Sequence, residues 1–346
     1  MQAIAVSEYG ATPALTQLPR PEPGPGEILV KLIAAGLNPL DWKVADGLLK
    51  DSLDASFPLI LGQDGAGVVE DAGEGVTRLR HGEQVYGSFF GAARGLGTYA
   101  EYTLAREDGP VARMPQGMIY TQAAAVPTAG MTALAMVEDA RVDTGQTVLV
   151  VGATGGVGQA AVQLAARTGA KVIATARSDM AGTMRRLGAA ETVDHSKGDL
   201  NAQVLAAHSD GIDAVLDMVS DTAATEAVAQ MLRPGGTYMS TTWSVNPDSM
   251  AAKGLRGVNF EGEPSADLLD RLSDLIDAGE LRVVIEREVP LRDAPDALAA
   301  NRAGFRWRDD PPHPPGRATG PAPSTPLALR SGNRAGGARG KTVVRV

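Results

Sequence analysis

The stretch from Val148 to Arg177 constrains the fold of this chain more than any other. It opens with an apolar run, Val148-Leu149-Val150-Val151, followed by the glycine cluster Gly152-Ala153-Thr154-Gly155-Gly156-Val157-Gly158. An alanine-rich helical pattern comes next, then a second apolar run, Lys171-Val172-Ile173-Ala174-Thr175-Ala176. Strand, glycine turn, helix and strand in that order form the first half of a dinucleotide-binding unit. A pyrophosphate needs backbone N–H groups at a helix N-terminus, where the helix dipole favours negative charge. Gly155 and Gly156 keep β-carbons out of its way, and Gly158 lets the helix lie close to the strand. The first motif position is Ala153 rather than glycine. Ala153, Thr154, Gly155, Gly156, Val157 and Gly158 are therefore the candidate phosphate cradle.

The end of the second strand bears on which dinucleotide binds. An NAD site places an acid there, about 20 residues after the motif, to accept from the ribose 2′-OH. Here Arg177 and Ser178 stand in that place. A guanidinium pairs with a 2′-phosphate through a bidentate fork, whereas a carboxylate repels it. The pattern predicts NADP(H), with Asp179 as the acid should the strand run longer.

Composition narrows the class. The 346 residues are enough for two domains with sizeable cores. A net charge of −9 argues against non-specific binding to nucleic acid or anionic membranes. No apolar run is long enough to span a bilayer, and Met1–Val6 reads as an edge strand rather than a signal peptide. A cytoplasmic location is the expectation. With no cysteine there are no disulfides, thiolate nucleophiles or cysteine-ligated zinc sites. His81, His195, His208 and His313 are isolated from one another, so no metal site is expected.

The chain changes character along its length. Residues 1–120 are rich in glycine, proline and short β runs (28–33, 66–70, 84–89), which suggests a β-barrel-like domain. Residues 121–262 alternate helices and strands: helix 131–140, then strands 147–151, 171–176, 191–193, 214–217, 237–240 and 257–260. That is a complete doubly wound parallel sheet. Residues 263–346 carry a helix at 266–278, a strand at 282–285, a helix at 293–300 and a terminal strand at 341–346. Between these lies segment 305–332, with seven of the 22 prolines and few apolar residues, too few to offset the entropy of ordering it. Asn301-Arg302-Ala303-Gly304 recurs after it as Asn333-Arg334-Ala335-Gly336, so the segment reads as an insertion or an altered reading frame.

Six stretches now carry a resemblance. They are Ala35–Lys43 (AGLNPLDWK), Leu61–Val69 (LGQDGAGVV), Val126–Ala133 (VPTAGMTA), the glycine motif, Leu216–Val219 and Arg339–Val344. Together they make the chain resemble a medium-chain dehydrogenase/reductase of the zinc-independent quinone oxidoreductase group. The resemblance implies an α/β architecture: a GroES-like β-barrel catalytic domain built from both chain ends, a Rossmann domain between them, and an active site in the cleft. Zinc-dependent members place a cysteine where this chain has Asn38 and a histidine where it has Gln63, so alcohol dehydrogenation through a Lewis acid is disfavoured. The implied substrate is a quinone or an α,β-unsaturated carbonyl, and a homodimer is expected. An enoyl-thioester reductase and a non-catalytic NADPH-binding protein are the alternatives.

The resemblance also offers site residues. Asn38 is a candidate for a nicotinamide or substrate hydrogen bond, or a turn former before Pro39. Asp41 and Lys43 either frame the cleft or pair with each other. Thr128 resembles a carboxamide-side contact, or serves as a helix N-cap. Tyr86 is a candidate proton donor, or core. Asp217 and Ser240, at the ends of two later strands, are candidates on the cofactor side.

Overall fold

The computed structural model describes residues 1–304 and 339–346. The segment 305–332 read above as an insertion lies outside the described residues.

The strand at Thr147–Val151 is buried on both faces: Val148, Leu149 and Val150 have no exposed surface. A strand with two buried faces must sit inside a sheet covered on both sides. It does so, at the centre of a six-stranded parallel sheet. The strands run in the spatial order Glu191–Val193, Lys171–Thr175, Thr147–Val151, Ile212–Asp217, Leu232–Ser240 and Arg256–Asn259. The order reverses at the central strand, so a crevice opens at the carboxyl ends of Thr147–Val151 and its neighbours. The helix Gly156–Arg167 begins at that crevice and buries Ala161, Val162, Leu164 and Ala165 against the sheet. Gly169, at φ +88°, ends it in the left-handed conformation that helix C-termini favour.

Both chain ends build a second sheet. Its seven strands include Glu27–Gly36, Asp64–Ala72, Gln84–Ser88, Tyr102–Arg106 and Val111–Arg113. The terminal strand Lys341–Arg345 joins it, antiparallel to Glu27–Gly36 and parallel to Ile285–Pro290. Gln2–Val6, expected at an edge, instead lies between Ala14–Gln17 and Leu59–Ile60 in a separate three-stranded sheet. The helix Pro127–Asp139 leads from the first sheet region toward the parallel sheet and packs on Gly156–Arg167. It starts four residues before the expected position because Pro127, which needs no N–H partner, fits the first turn.

One expected strand is displaced. Residues 281–284 are irregular, and the strand begins only at Ile285, whose partner is Lys341. The cause is a side chain that mimics a neighbouring strand. Gln163 accepts from the Arg282 N–H at 2.9 Å and donates to the Arg282 carbonyl at 3.0 Å. No helix among the described residues is long and apolar enough to cross a membrane.

Candidate active site

The floor of the cleft is the turn 152–158. A β-carbon on Gly158 would lie 2.2 Å from the Gly152 carbonyl oxygen, so only glycine permits this approach of helix to strand. A β-carbon on Gly155 would meet nothing closer than 3.5 Å, so this position faces open space. Thr154, Gly155, Gly156 and Val157 are all partly exposed at the helix N-terminus, whereas Ala153 is fully buried beneath the turn. The Gly155 N–H donates to the Gly152 carbonyl at 3.1 Å, so the N–H groups that fit a pyrophosphate are those of the helix's first turn, from Gly156 on. The Ala153 side chain supports the turn from below.

Asp217 and Ser240 also lie beneath this floor. Asp217 is fully buried and accepts from the Val219 and Ser220 N–H groups, both at 2.9 Å, and from the Tyr238 hydroxyl. Ser240 is buried in a hydroxyl cluster with Thr242 and Ser244. These buried side chains shape the loops at the strand ends.

At the outer end of the crevice the second strand stops at Thr175, so Asp179 lies beyond it and pairs with Arg339 at 2.7 Å. Arg177 is partly buried, and Ser178 is exposed. The Ser178 hydroxyl donates to Asp194 at 2.8 Å.

The opposite wall holds a buried polar cluster. Asp64 has no exposed surface. It accepts from the Asn38 amide at 2.9 Å, the Thr128 hydroxyl at 2.6 Å and the Thr128 N–H at 3.0 Å. The Lys341 ammonium lies 3.7 Å from the same carboxylate and donates to the Asn38 side-chain oxygen and, at 3.2 Å, to the Leu37 carbonyl. Burial pushes Asp64 up and Lys341 down, and each opposes the other's shift by its charge. Next to it, Asp41 accepts from the Asn38 N–H at 2.7 Å and the Tyr99 hydroxyl at 2.8 Å. Burial raises Asp41 to about 7.

This cluster redirects several expected residues. Asn38 spends its amide on Asp64 and Lys341, inside the wall rather than in the open cleft. Asp41 and Lys43 belong to a short helix, Pro39–Ala45, and Asp41 acts within the wall. Tyr86 is fully buried, and its hydroxyl donates to the Leu269 carbonyl at 2.7 Å and meets Ser273 at 2.9 Å. Desolvation holds that phenol protonated well above its usual range. Tyr86 ties the first sheet to the helix Ala266–Asp277 and is no proton donor to the cleft. Thr128 is held by Asp64 and accepts from the Gln63 amide at 3.2 Å.

Lys341 links the two walls. Its aliphatic stem crosses Gly156, where an added β-carbon would lie 2.6 Å from Lys341 Cδ. Sequence reasoning missed Lys341 and Asp64 as site residues. The available signals were a lysine at an inward position of a β-branched strand and an acid between Gln63 and Gly65 at a strand start.

Gln63 and Thr128 also line a cavity of about 660 Å³. Phe89, Phe90, Leu96, Met131 and Leu268 form its apolar surface. Ser88 and Gln63, both buried, are polar groups within it, and Glu261 and Glu263 stand at its exposed rim. A volume of this size suits a small organic molecule.

The glycine turn and the apolar cavity are joined by the helix Pro127–Asp139, which lines the cavity and packs on Gly156–Arg167, an arrangement suited to a dinucleotide-dependent enzyme acting on a small molecule. Known proteins agree. Residues 24–116 match the alcohol dehydrogenase GroES-like domain and residues 156–286 match the zinc-binding dehydrogenase domain. A chloroplast envelope quinone oxidoreductase homolog of Arabidopsis thaliana is 32% identical over 320 residues, covering 88% of this chain and 95% of the relative. A 2-methylene-furan-3-one reductase of Solanum lycopersicum is 30% identical over 299 residues, covering 84% and 72%. The quinone oxidoreductase structure from Coxiella burnetii superposes with a TM-score of 0.80 at 28% identity, covering 100% and 99%. The chain belongs to the medium-chain dehydrogenase/reductase superfamily, in its quinone oxidoreductase group. The second domain's family is a zinc-binding one, but among the described residues no cluster of three His, Cys, Asp or Glu side chains is placed to hold a metal ion.

Proposed function

We propose that this chain is a zinc-independent, NADPH-dependent reductase of quinones or α,β-unsaturated carbonyls. The observation that carries the reading is the apolar cavity whose buried polar groups are an amide, Gln63, and a hydroxyl, Ser88. Similarity to a 2-methylene-furan-3-one reductase and to an NADPH-dependent alkenal/one oxidoreductase supports the substrate class and the cofactor.

A bound reduced nicotinamide supplies hydride. The chain's own residues do the rest. The N–H groups at Gly156 and Val157, in the first turn of the helix, would hold the pyrophosphate, and Arg177 would pair with a 2′-phosphate. Phe89, Phe90 and Met131 hold a flat acceptor and keep water from it. A conjugated acceptor spreads the incoming charge onto its oxygen, so two oriented donors suffice where a simple ketone would call for a Lewis acid. Ser88 and the Gln63 amide are the donors we assign to that oxygen. The Asp64–Thr128–Gln63 chain fixes the amide's orientation: Thr128 gives its proton to Asp64 and must accept from Gln63. The remaining proton comes from water through the cavity mouth.

The test is NADPH consumption with a panel of quinones, enones, enoyl-thioesters, saturated ketones and alcohols, with and without a strong chelator. Quinone or enone turnover that survives the chelator is expected, and Ser88→Ala should slow it on the order of a hundredfold. Exclusive turnover of enoyl-thioesters would move the substrate class. Chelator-sensitive alcohol oxidation, or no turnover of any kind, would refute the proposal.

A further inference from the structure

The carboxyl ends of the second and third strands of the parallel sheet lie side by side: Thr175 pairs with Val193, and the Ala176 N–H donates to the Val193 carbonyl. The residue after Val193 is Asp194. One of its oxygens accepts from the Ser178 N–H at 3.0 Å and the Ser178 hydroxyl at 2.8 Å. The other accepts from the Ser196 N–H at 3.0 Å and the Ser196 hydroxyl at 2.5 Å. The Lys197 ammonium is 3.9 Å away. These four donors hold the carboxyl well below the usual carboxylate range, so it is charged at any working pH. Ser178 is the residue expected to meet a 2′-phosphate, and it is already meeting an anion.

We infer that Asp194 is a specificity-determining residue of the cofactor site, one that holds down the preference for NADPH over NADH by occupying the donors a 2′-phosphate would use. The inference rests on the dinucleotide-binding reading above. A hydroxyl has one proton. While Ser178 gives its proton to Asp194, its oxygen offers an arriving phosphate only lone pairs. The phosphate also meets the fixed negative charge of Asp194 at close range, which opposes its attraction to Arg177. NADH carries no 2′-phosphate and is insensitive to both effects. The sequence pattern of an arginine and a hydroxyl without an acid on the second strand is therefore incomplete: the acid comes from the next strand.

The test measures binding of NADPH, NADH and the fragment 2′,5′-ADP by titration calorimetry, with turnover playing no part. Asp194→Asn removes the charge, keeps the shape and leaves one acceptor oxygen where the carboxylate offers two, which loosens the hold on Ser178. It should tighten NADPH and 2′,5′-ADP roughly tenfold and leave NADH within about twofold. Ser178→Ala should change NADPH affinity less than about twofold in the native background, yet remove most of the gain in the Asp194→Asn background. Should Asp194→Asn fail to fold, Asp194→Ser tests the same charge. Weaker NADPH binding in the variant, equal effects on both dinucleotides, or no effect on either would overturn the inference. Failure of the native chain to bind any of the three probes would instead overturn the dinucleotide reading.

Discussion

The two walls of the cleft are built on opposite plans. The floor at 152–158 is seven consecutive residues that offer backbone N–H groups and the absence of side chains. The facing wall is a buried ionic cluster whose members are far apart in sequence: Asn38 and Asp64 are 26 residues apart, Thr128 is 64 beyond Asp64, and Lys341 is 303 from Asn38. A site made of backbone can be local. A site made of paired charges needs partners from several strands, because burying one charge without another is costly. The second plan makes the wall both a structural tie and a weak point.

The largest expected effect comes from breaking that tie. Lys341→Met leaves Asp64 buried without its cation, and removing one partner of a buried pair costs about 3–5 kcal/mol. Urea denaturation should show this loss, and adding Asp64→Asn should restore part of it. If the wall were a solvated surface pair, the loss would stay under about 1 kcal/mol.

A somewhat smaller effect distinguishes the wall by pH. Asp41 is raised to about 7 from 3.8, so the folded state binds its proton more tightly than the unfolded chain does. Its contribution is greatest below about pH 4 and is lost as pH rises through about 7. Between pH 5 and pH 8 that loss is about 2–3 kcal/mol. Asp41→Asn should flatten the stability profile by this amount over the same range. An unchanged slope would show that Asp41 is not the titrating group.

On the floor side the expected effect is smaller still and confined to binding. Arg177→Ala should weaken NADPH by about 1.5–3 kcal/mol, the range for a hydrogen bond to a charged group, and spare NADH. Equal weakening of both dinucleotides would remove Arg177 from the phosphate site.

The same contrast explains what could be read from the amino-acid sequence. The parallel sheet and its glycine turn were legible because the central strands, Thr147–Val151, Lys171–Thr175 and Ile212–Asp217, carry apolar runs and the turn is a local pattern. The strand at 282–285 misled because its apolar residues pack on the core while Gln163, more than a hundred residues earlier, satisfies the Arg282 backbone. Asn38 was read as a nicotinamide or substrate contact or as a turn former, whereas its side chain is held by Asp64 and Lys341, partners visible only once the terminal strand joins the first sheet. Asp194 escaped notice for a similar reason: the second and third strands lie adjacent, and their neighbouring ends share one set of donors.

In the proposed reaction this cleft delivers hydride to the conjugated carbon of an acceptor without a metal. The most direct measurement uses NADPH deuterated at nicotinamide C4 with a simple enone, in the presence of a strong chelator. The expected product is a saturated ketone with deuterium at the carbon β to an intact carbonyl. Deuterium on the carbonyl carbon, in an allylic alcohol whose formation stops on chelation, would contradict it.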